Sequence, residues 1–142
     1  AGDLTALASL APEGARVRAL AVAGAFHTSY MQPAVEPMRA LAAQIQVSDA
    51  SVGVLSNKDG AVITSGREIL DRIVNQIANP VRWDLCMETL STVGVTGAVE
   101  VAPAGTLVGL IKRAVPAIEQ CALKSPAELE NAQTFAATHG GK

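Results

Sequence analysis

Apolar residues follow two spacings along the chain, and the two spacings alternate. Short apolar runs predict strands at residues 16–22, 52–55, 95–101 and 118–123. Apolar residues three or four apart predict helices at residues 3–10, 31–45, 65–78, 81–90 and 106–114, with a further helix after Ser125. Because strands alternate with helices of about ten residues, the pattern predicts an α/β fold with a parallel sheet.

The ends of several helices carry recognisable signals. Ser65 and Ser125 each open an S-x-x-E capping box. Asn79-Pro80 predicts that one helix stops and that the next begins with Asn79 as its N-cap. The apolar run at residues 95–101 predicts a strand that is buried on both faces of its sheet. The last residues, which include His139, are expected to fray into solvent.

Composition narrows the possible functions. The 142 residues are 49% hydrophobic and carry a net charge of -2, so we expect one globular domain with no basic surface for nucleic acid and no polybasic membrane anchor. No run approaches the roughly 18 to 20 apolar residues of a membrane span. Cys86 and Cys121 stand far apart without neighbouring histidines. They predict reduced thiols, and hence a cytoplasmic protein without a metal site.

One histidine occupies a position that suits catalysis. His27 lies in the stretch V-A-G-A-F-H-T-S-Y-M, on a loop between a predicted strand and a predicted helix. Its unperturbed pKa suits proton transfer near neutrality, although a histidine that only packs against the backbone is an alternative. The sequence has no G-x-S-x-G, no phosphate-binding loop and no H-E-x-x-H. It therefore offers a base without an obvious nucleophile.

A helix end offers this base a partner. The helix that stops at Asn79-Pro80 leaves the carbonyls of Gln76 and Ile77 without intrahelical donors. Such a carbonyl could accept a hydrogen bond from the His27 ring, and the helix dipole would favour the imidazolium by about 0.3 to 2 kcal/mol. Alternatively, water or a local turn satisfies these carbonyls.

Four motifs together indicate a family. They are G-A-F-H-T-x-x-M, V-L-S-N-K-D-G, V-N-Q-I-x-N-P-V-R-W and E-V-x-P-x-G-T-L-x-G-L-x-K-R. In this order they resemble the C-terminal portion of malonyl-CoA:acyl carrier protein transacylases of the actinobacterial type, over residues 1 to about 129. The resemblance implies a Ser/His acyltransferase. Such an enzyme moves malonyl from coenzyme A to the phosphopantetheine thiol of acyl carrier protein, in fatty-acid or polyketide biosynthesis.

The resemblance also implies roles for single residues. His27 matches the catalytic base, and Gln76 matches the residue whose backbone carbonyl orients it. Phe26 matches a position that accompanies preference for malonyl over methylmalonyl, where a bulky ring would crowd the extra methyl group. Asn57 matches an asparagine in the surroundings of the substrate site.

The same resemblance implies the partners. Lys112 and Arg113 match a basic pair that faces the acidic carrier protein, although a solvated helix end would explain them equally well. The substrate is malonyl-CoA, and no cofactor is expected on this chain because the partner carries the phosphopantetheine. Nucleic acid and membranes are not expected partners.

Several parts of the family pattern are not in this sequence. The G-H-S-x-G serine, the oxyanion-hole glutamine loop and the malonyl-clamping arginine are expected on a missing N-terminal half. The resemblance assigns residues 1–22 to the end of a ferredoxin-like small subdomain. It assigns residues 23–130 to the C-terminal part of an α/β-hydrolase-like acyltransferase core and leaves 131–142 as a frayed tail. The chain alone is expected to be inactive. The alternative is a non-catalytic module that binds acyl carrier protein.

Overall fold

The described part of the chain holds six α-helices, two short 3-10 helices and four strands. The computed structural model describes residues 2–15, 17 and 22–140. Its helices are α1 (Gly2–Ser9), α2 (Gln32–Ala42), α3 (Gly66–Gln76), α4 (Trp83–Thr92), α5 (Leu107–Ala114) and α6 (Leu129–His139). Its strands are β1 (Val54–Leu55), β2 (Val62–Ile63), β3 (Gly97–Val101) and β4 (Glu119–Leu123). Most of the strand predicted at residues 16–22 lies outside the described residues.

Two small sheets are present. β3 pairs with β4 in parallel, with Val99 opposite Cys121, and α5 connects the two strands. The predicted α/β class with a parallel sheet is thereby confirmed. β1 and β2 form an antiparallel hairpin around the Asp59-Gly60 turn. The sequence analysis missed β2 because a strand of two residues shows no periodicity.

The best-packed core lies between α2 and α3. Val35 and Ala42 from α2 meet Val74 from α3 and Ala78 just beyond it. Met31, Leu70 and Ile77 pack around this cluster. α2 begins with Pro33 in its first turn and continues through Pro37. Because α2 starts a few residues after His27, this packing carries the His27 loop towards the end of α3.

Strand β3 departs from its prediction. Val99 is 39% exposed and Val101 is 67% exposed, so the strand is not buried on both faces. Its only sheet partner among the described residues is β4. An apolar run of this kind indicates that both faces of a strand are suited to burial. It does not indicate which other elements cover those faces.

The helix after α3 begins later than the sequence predicts. It starts at Trp83, and Asn79 does not cap it. The Asn79 side-chain amide instead donates to the Asn75 carbonyl at 2.6 Å. The backbone N–H of Arg82 donates to the Asn57 carbonyl at 2.8 Å. The segment before α4 is therefore held by one contact with α3 and by one with Asn57, which is remote in sequence. Local capping signals do not reveal the second contact.

The C-terminal segment does not fray where the sequence predicted a tail. Residues 131–139 belong to α6. The His139 side chain is only 13% exposed, lies 3.0 Å from the Thr96 hydroxyl and stacks on Phe135 with 4.4 Å between ring centroids. A Cβ added to Gly97 would collide with the imidazole. The helix is thus anchored on the start of β3, which local sequence could not indicate.

Ile118 should be a strong determinant of stability. It is 2% exposed and among the largest fully buried side chains. We expect Ile118→Ala to lower the free energy of unfolding by about 2 to 5 kcal/mol, because it removes buried methylenes and leaves a cavity. Urea unfolding followed by circular dichroism measures this loss. The matched control is Ile73→Ala, at a side chain that is 59% exposed, with an expected change within about 0.5 kcal/mol. Equal losses in both variants would contradict the assignment.

Candidate functional site

The backbone of His27 is held in an unusual conformation. Its φ is +64°, in the left-handed region that L-residues other than glycine rarely adopt. This conformation costs about 1 to 2 kcal/mol. The backbone N–H of His27 donates to the Ile77 carbonyl at 2.9 Å, and the next residue, Thr28, caps the short 3-10 helix Ser29–Met31. The turn is therefore fixed on both sides of the histidine.

The His27 ring contacts the carbonyl that the sequence analysis had singled out. Nδ1 lies 2.8 Å from the Gln76 carbonyl oxygen. A carbonyl only accepts hydrogen bonds, so Nδ1 must carry the proton in the neutral ring and Nε2 must be the basic nitrogen. None of the described residues hydrogen-bonds Nε2, and His27 as a whole is exposed. The ring can thus accept a proton from a group outside the described residues.

Pro80 explains why the Gln76 carbonyl is free to bind the ring. In a continuing α-helix this carbonyl would accept from the backbone N–H four residues later. That residue is Pro80, which has no N–H. The carbonyl accepts instead from the Asn79 backbone N–H at 3.3 Å and from His27 Nδ1. The negative end of the α3 dipole therefore faces the imidazole.

Asn57 lies on a loop that is tied to two helices. Its backbone carbonyl accepts from the Arg82 N–H before α4. From α3, Arg72 Nη1 donates to the Ser56 hydroxyl at 3.0 Å and to the Asp59 carboxylate at 2.6 Å. The guanidinium of Arg72 holds the pKa of Asp59 below its ordinary value of 3.8. The loop is thus fixed in place relative to α3.

The sequence analysis did not identify Arg72. Its spacing of four residues from Glu68 was a visible signal for an ion pair on one helix face, and Nη2 does lie 2.8 Å from the Glu68 carboxylate. Its more important contact, with Asp59, joins residues that are 13 positions apart. Sequence spacing does not reveal a contact of that kind.

A polar pocket of about 490 Å³ lies beside the end of α3. Its lining residues are Lys58, Asn75, Gln76, Asn79, Pro80 and Arg82. The pocket joins the Asn57 loop to the turn that holds His27, since Lys58 follows Asn57 and Gln76 bonds the ring. Arg82 is paired with the Asp84 carboxylate at 2.6 Å. The pocket therefore combines amide groups with positive charge on Lys58.

The remaining predicted residues take no part in the hydrogen bond between His27 and Gln76. The Phe26 ring is about half exposed, with 51% of the residue accessible. Lys112 and Arg113 are exposed in the last turn of α5, and Arg113 Nε donates to the Gly109 carbonyl at 3.2 Å. The structure thus brings His27 and Gln76 together, and the basic pair is exposed on α5.

Glu100 has a structural role that its sequence position did not suggest. Its carboxylate accepts from the backbone N–H groups of Gly105, Leu107 and Val108 at 2.8 to 3.0 Å. These bonds lower the pKa of Glu100 and satisfy free donors at the start of α5. The sequence alone assigned no role to Glu100.

Residues 2–15, 17 and 22–140 contain neither a metal-binding cluster nor a membrane-spanning helix. No group of three or more His, Cys, Asp or Glu side chains there could hold a metal ion. No helix in the same ranges has the length and apolar character to cross a membrane.

Known proteins are similar to this chain in sequence and in fold. The chain is 50% identical over 133 residues to the malonyl CoA-acyl carrier protein transacylase of Mycobacterium tuberculosis, covering 92% of this chain and 44% of the relative. Its fold matches the crystal structure of the Mycobacterium tuberculosis transacylase with a TM-score of 0.84 and 48% identity, over 92% of this chain and 43% of the other. The chain is related to the malonyl CoA-acyl carrier protein transacylases. The resemblance that the four motifs indicate is confirmed.

The match is partial in length. The chain spans less than half the length of these transacylases, which fits the C-terminal portion that the motifs indicate. A further similar structure is a type II PKS acyl-carrier protein in complex with its malonyl-transacylase, at 31% identity and a TM-score of 0.73 over 80% of this chain and 37% of that chain. No protein-family model matches the chain.

The ion pair between Asp59 and Arg72 should make stability depend on pH. Asp59→Asn should lower the free energy of unfolding at neutral pH by less than about 1 kcal/mol, because the pair is partly exposed to solvent. The folded-state pKa of Asp59 lies below 3.8. This contribution is therefore complete above that value and is lost as the pH falls through the folded pKa.

Urea unfolding at neutral pH and at about pH 3 measures this dependence. The difference between the unmodified chain and Asp59→Asn should shrink at the lower pH. Glu36→Gln is the control, because the Glu36 side chain is 84% exposed. If Asp59→Asn produces the same loss at both pH values, the pair does not stabilise the loop through its charge.

Proposed function

We propose that this chain supplies the general base of a malonyl-CoA:acyl carrier protein transacylase. The nucleophilic serine lies on a segment outside this sequence. The proposal rests mainly on one observation, the 2.8 Å contact between His27 Nδ1 and the Gln76 carbonyl. This contact leaves Nε2 as the proton acceptor. The transacylase relatives support the reaction class.

The proposed reaction has two mirrored halves. His27 Nε2 takes the proton of the serine hydroxyl as the serine oxygen attacks the thioester carbonyl of malonyl-CoA. The carbon–sulfur bond breaks, and the imidazolium returns the proton to the coenzyme A thiolate. In the second half Nε2 takes the proton of the phosphopantetheine thiol as the sulfur attacks the malonyl ester carbonyl. The carbon–oxygen bond of the ester breaks, and the imidazolium returns the proton to the serine oxygen. The Gln76 carbonyl stabilises the imidazolium in both halves.

Further features of the proposal concern the substrate and the surroundings. Phe26 would limit space beside the malonyl α-carbon, and Asn57 would belong to the wall of the substrate site. The chain would complete an α/β-hydrolase-like core and contribute the end of a ferredoxin-like subdomain. Buried free Cys86 and Cys121 suit a reducing, cytoplasmic location. The reaction would serve fatty-acid or polyketide biosynthesis. This chain would hold no cofactor.

A second candidate function is a non-catalytic module that binds acyl carrier protein. The exposed basic pair on α5 favours it, and so does the similar malonyl-transacylase that forms a complex with its acyl-carrier protein. Docking through the basic pair and catalysis through His27 use different residues. Variants of each can therefore be examined separately.

The catalytic proposal predicts a large effect of His27→Ala. The protein to use is a chimera in which this chain replaces the corresponding segment of the Mycobacterium tuberculosis transacylase. We expect the chimera to move radiolabelled malonyl from malonyl-CoA to acyl carrier protein. His27→Ala should slow the transfer about 10² to 10⁴-fold, the usual contribution of a general base. His139→Gln, which keeps a polar group beside Thr96, is the control.

Two results would count against the catalytic proposal. One is a folded chimera without transferase activity, and the other is a His27→Ala chimera that keeps the full rate. The chain alone is expected to take up no malonyl group, because it lacks the serine motif. A stable malonyl ester on a Ser or Thr of the isolated chain would also be inconsistent with the proposal.

The docking surface predicts a different pattern. Exchange of Lys112 and Arg113 for alanine should weaken binding of acyl carrier protein and flatten its dependence on salt, because exposed charges act mainly through long-range attraction. Calorimetry at two salt concentrations measures both effects. Lys124→Ala is the matched control, since Lys124 is an exposed lysine near Gly105, before the start of α5, whereas the basic pair lies in its last turn. Equal weakening by the control would exclude a specific role for the basic pair.

A further inference from the structure

The side chain of Gln76 is buried and has two partners. Gln76 is 6% exposed, although it is the last residue of α3. Its Nε2 donates to the carbonyl of Asn79 at 2.8 Å and to the carbonyl of Pro80 at 2.7 Å. Both side-chain protons are therefore used within the turn that follows the helix. A buried amide with both donors satisfied rigidifies its surroundings.

The same residue bonds His27 through its backbone. The Gln76 carbonyl accepts from Nδ1 of the ring, and the adjacent Ile77 carbonyl accepts from the His27 N–H. The direction of both carbonyls depends on the path of the chain from residue 76 to residue 80. The Gln76 side chain bonds the carbonyls of Asn79 and Pro80 at the end of that segment, so the segment is held at both ends. One residue thus supplies both the acceptor for the ring and the brace that aims the acceptor.

We propose that the Gln76 side-chain amide is a positioning group for His27. It holds residues 77–80 so that the Gln76 carbonyl stays on Nδ1. The ring then keeps its proton on Nδ1 and leaves Nε2 free. The use of Nε2 in malonyl transfer rests on the proposed function, whereas the tautomer itself can be observed without any reaction.

The alternative is that the amide only fills space at the end of the helix. In that case its loss would lower stability and leave the ring unchanged in the folded protein. The two roles differ in the tautomer of His27, because only a brace that aims the carbonyl changes which nitrogen holds the proton.

The first experiment observes the His27 ring directly. NMR of the full chain labelled with ¹⁵N-histidine, at about pH 8.5 where imidazole is neutral, gives the ratio of the Nδ1–H to the Nε2–H form. Gln76→Met keeps the side-chain length and removes the donors. We expect it to lower this ratio about two- to tenfold, the equilibrium effect of one hydrogen bond. The control Gln133→Met, on the exposed face of α6, should leave the ratio unchanged.

A second measurement needs no variant. In the unmodified chain, the side-chain amide protons of Gln76 should exchange with solvent at least about tenfold more slowly than those of exposed Gln133, because they are bonded and buried. This result remains informative if Gln76→Met does not fold, which circular dichroism would reveal.

Two outcomes would overturn the positioning role. They are an unchanged tautomer ratio in a folded Gln76→Met chain, and Gln76 amide protons that exchange as fast as those of Gln133. Neither outcome touches the proposed function, which depends on the rate of the His27→Ala chimera. Conversely, a fully active His27→Ala chimera would remove the catalytic use of the ring while leaving the brace intact.

Discussion

The candidate site depends on one backbone carbonyl that has no helical partner. Helix α3 would normally satisfy the Gln76 carbonyl with the N–H four residues later, and Pro80 has none. The carbonyl is therefore available to the His27 ring, which bonds it at 2.8 Å. That bond fixes the proton on Nδ1 and makes Nε2 basic. Because Pro80 has no backbone N–H, the Gln76 carbonyl bonds Nδ1 of His27, and Nε2 is left as the nitrogen that can accept a proton.

This constraint works only because packing brings the two segments together. Val35 and Ala42 of α2 pack on Val74 of α3, and α2 begins shortly after His27. The histidine consequently lands at the C-terminal end of α3, where the dipole is negative. The second hydrogen bond, from the His27 N–H to the Ile77 carbonyl, helps to offset the cost of a left-handed backbone. The packing of α2 on α3 therefore also determines the position of His27 in the candidate site.

The sequence correctly predicted features that depend on neighbouring residues, such as helix caps and the alternation of strands and helices. The capping box at Ser125 is present, and Ser65 caps α3 by accepting from the Glu68 N–H while the Glu68 carboxylate bonds Arg72. The alternation of strands and helices correctly predicted an α/β fold with a parallel pair. The possible contact between His27 and the end of α3 could be foreseen because helix ends always leave carbonyls free. The errors have two causes. Asn79 looked like a cap for the next helix, yet its side chain bonds the Asn75 carbonyl in the helix before it. His139 looked like a solvated tail residue, yet it bonds Thr96, which is 43 positions away in sequence.

The described geometry also separates what this chain provides from what a transfer reaction still requires. The orienting contacts of His27, on its N–H and on Nδ1, all come from the described residues. Nε2 has no such partner there. The His27 ring is thus already oriented, and its proton-accepting atom Nε2 has no partner among the described residues. To act as a base it requires a proton donor within hydrogen-bond distance of Nε2. In a chain that spans 44% of its transacylase relative, that donor would be the proposed serine. The exposed apolar face of β3, at Val99 and Val101, is consistent with a chain that packs against further protein.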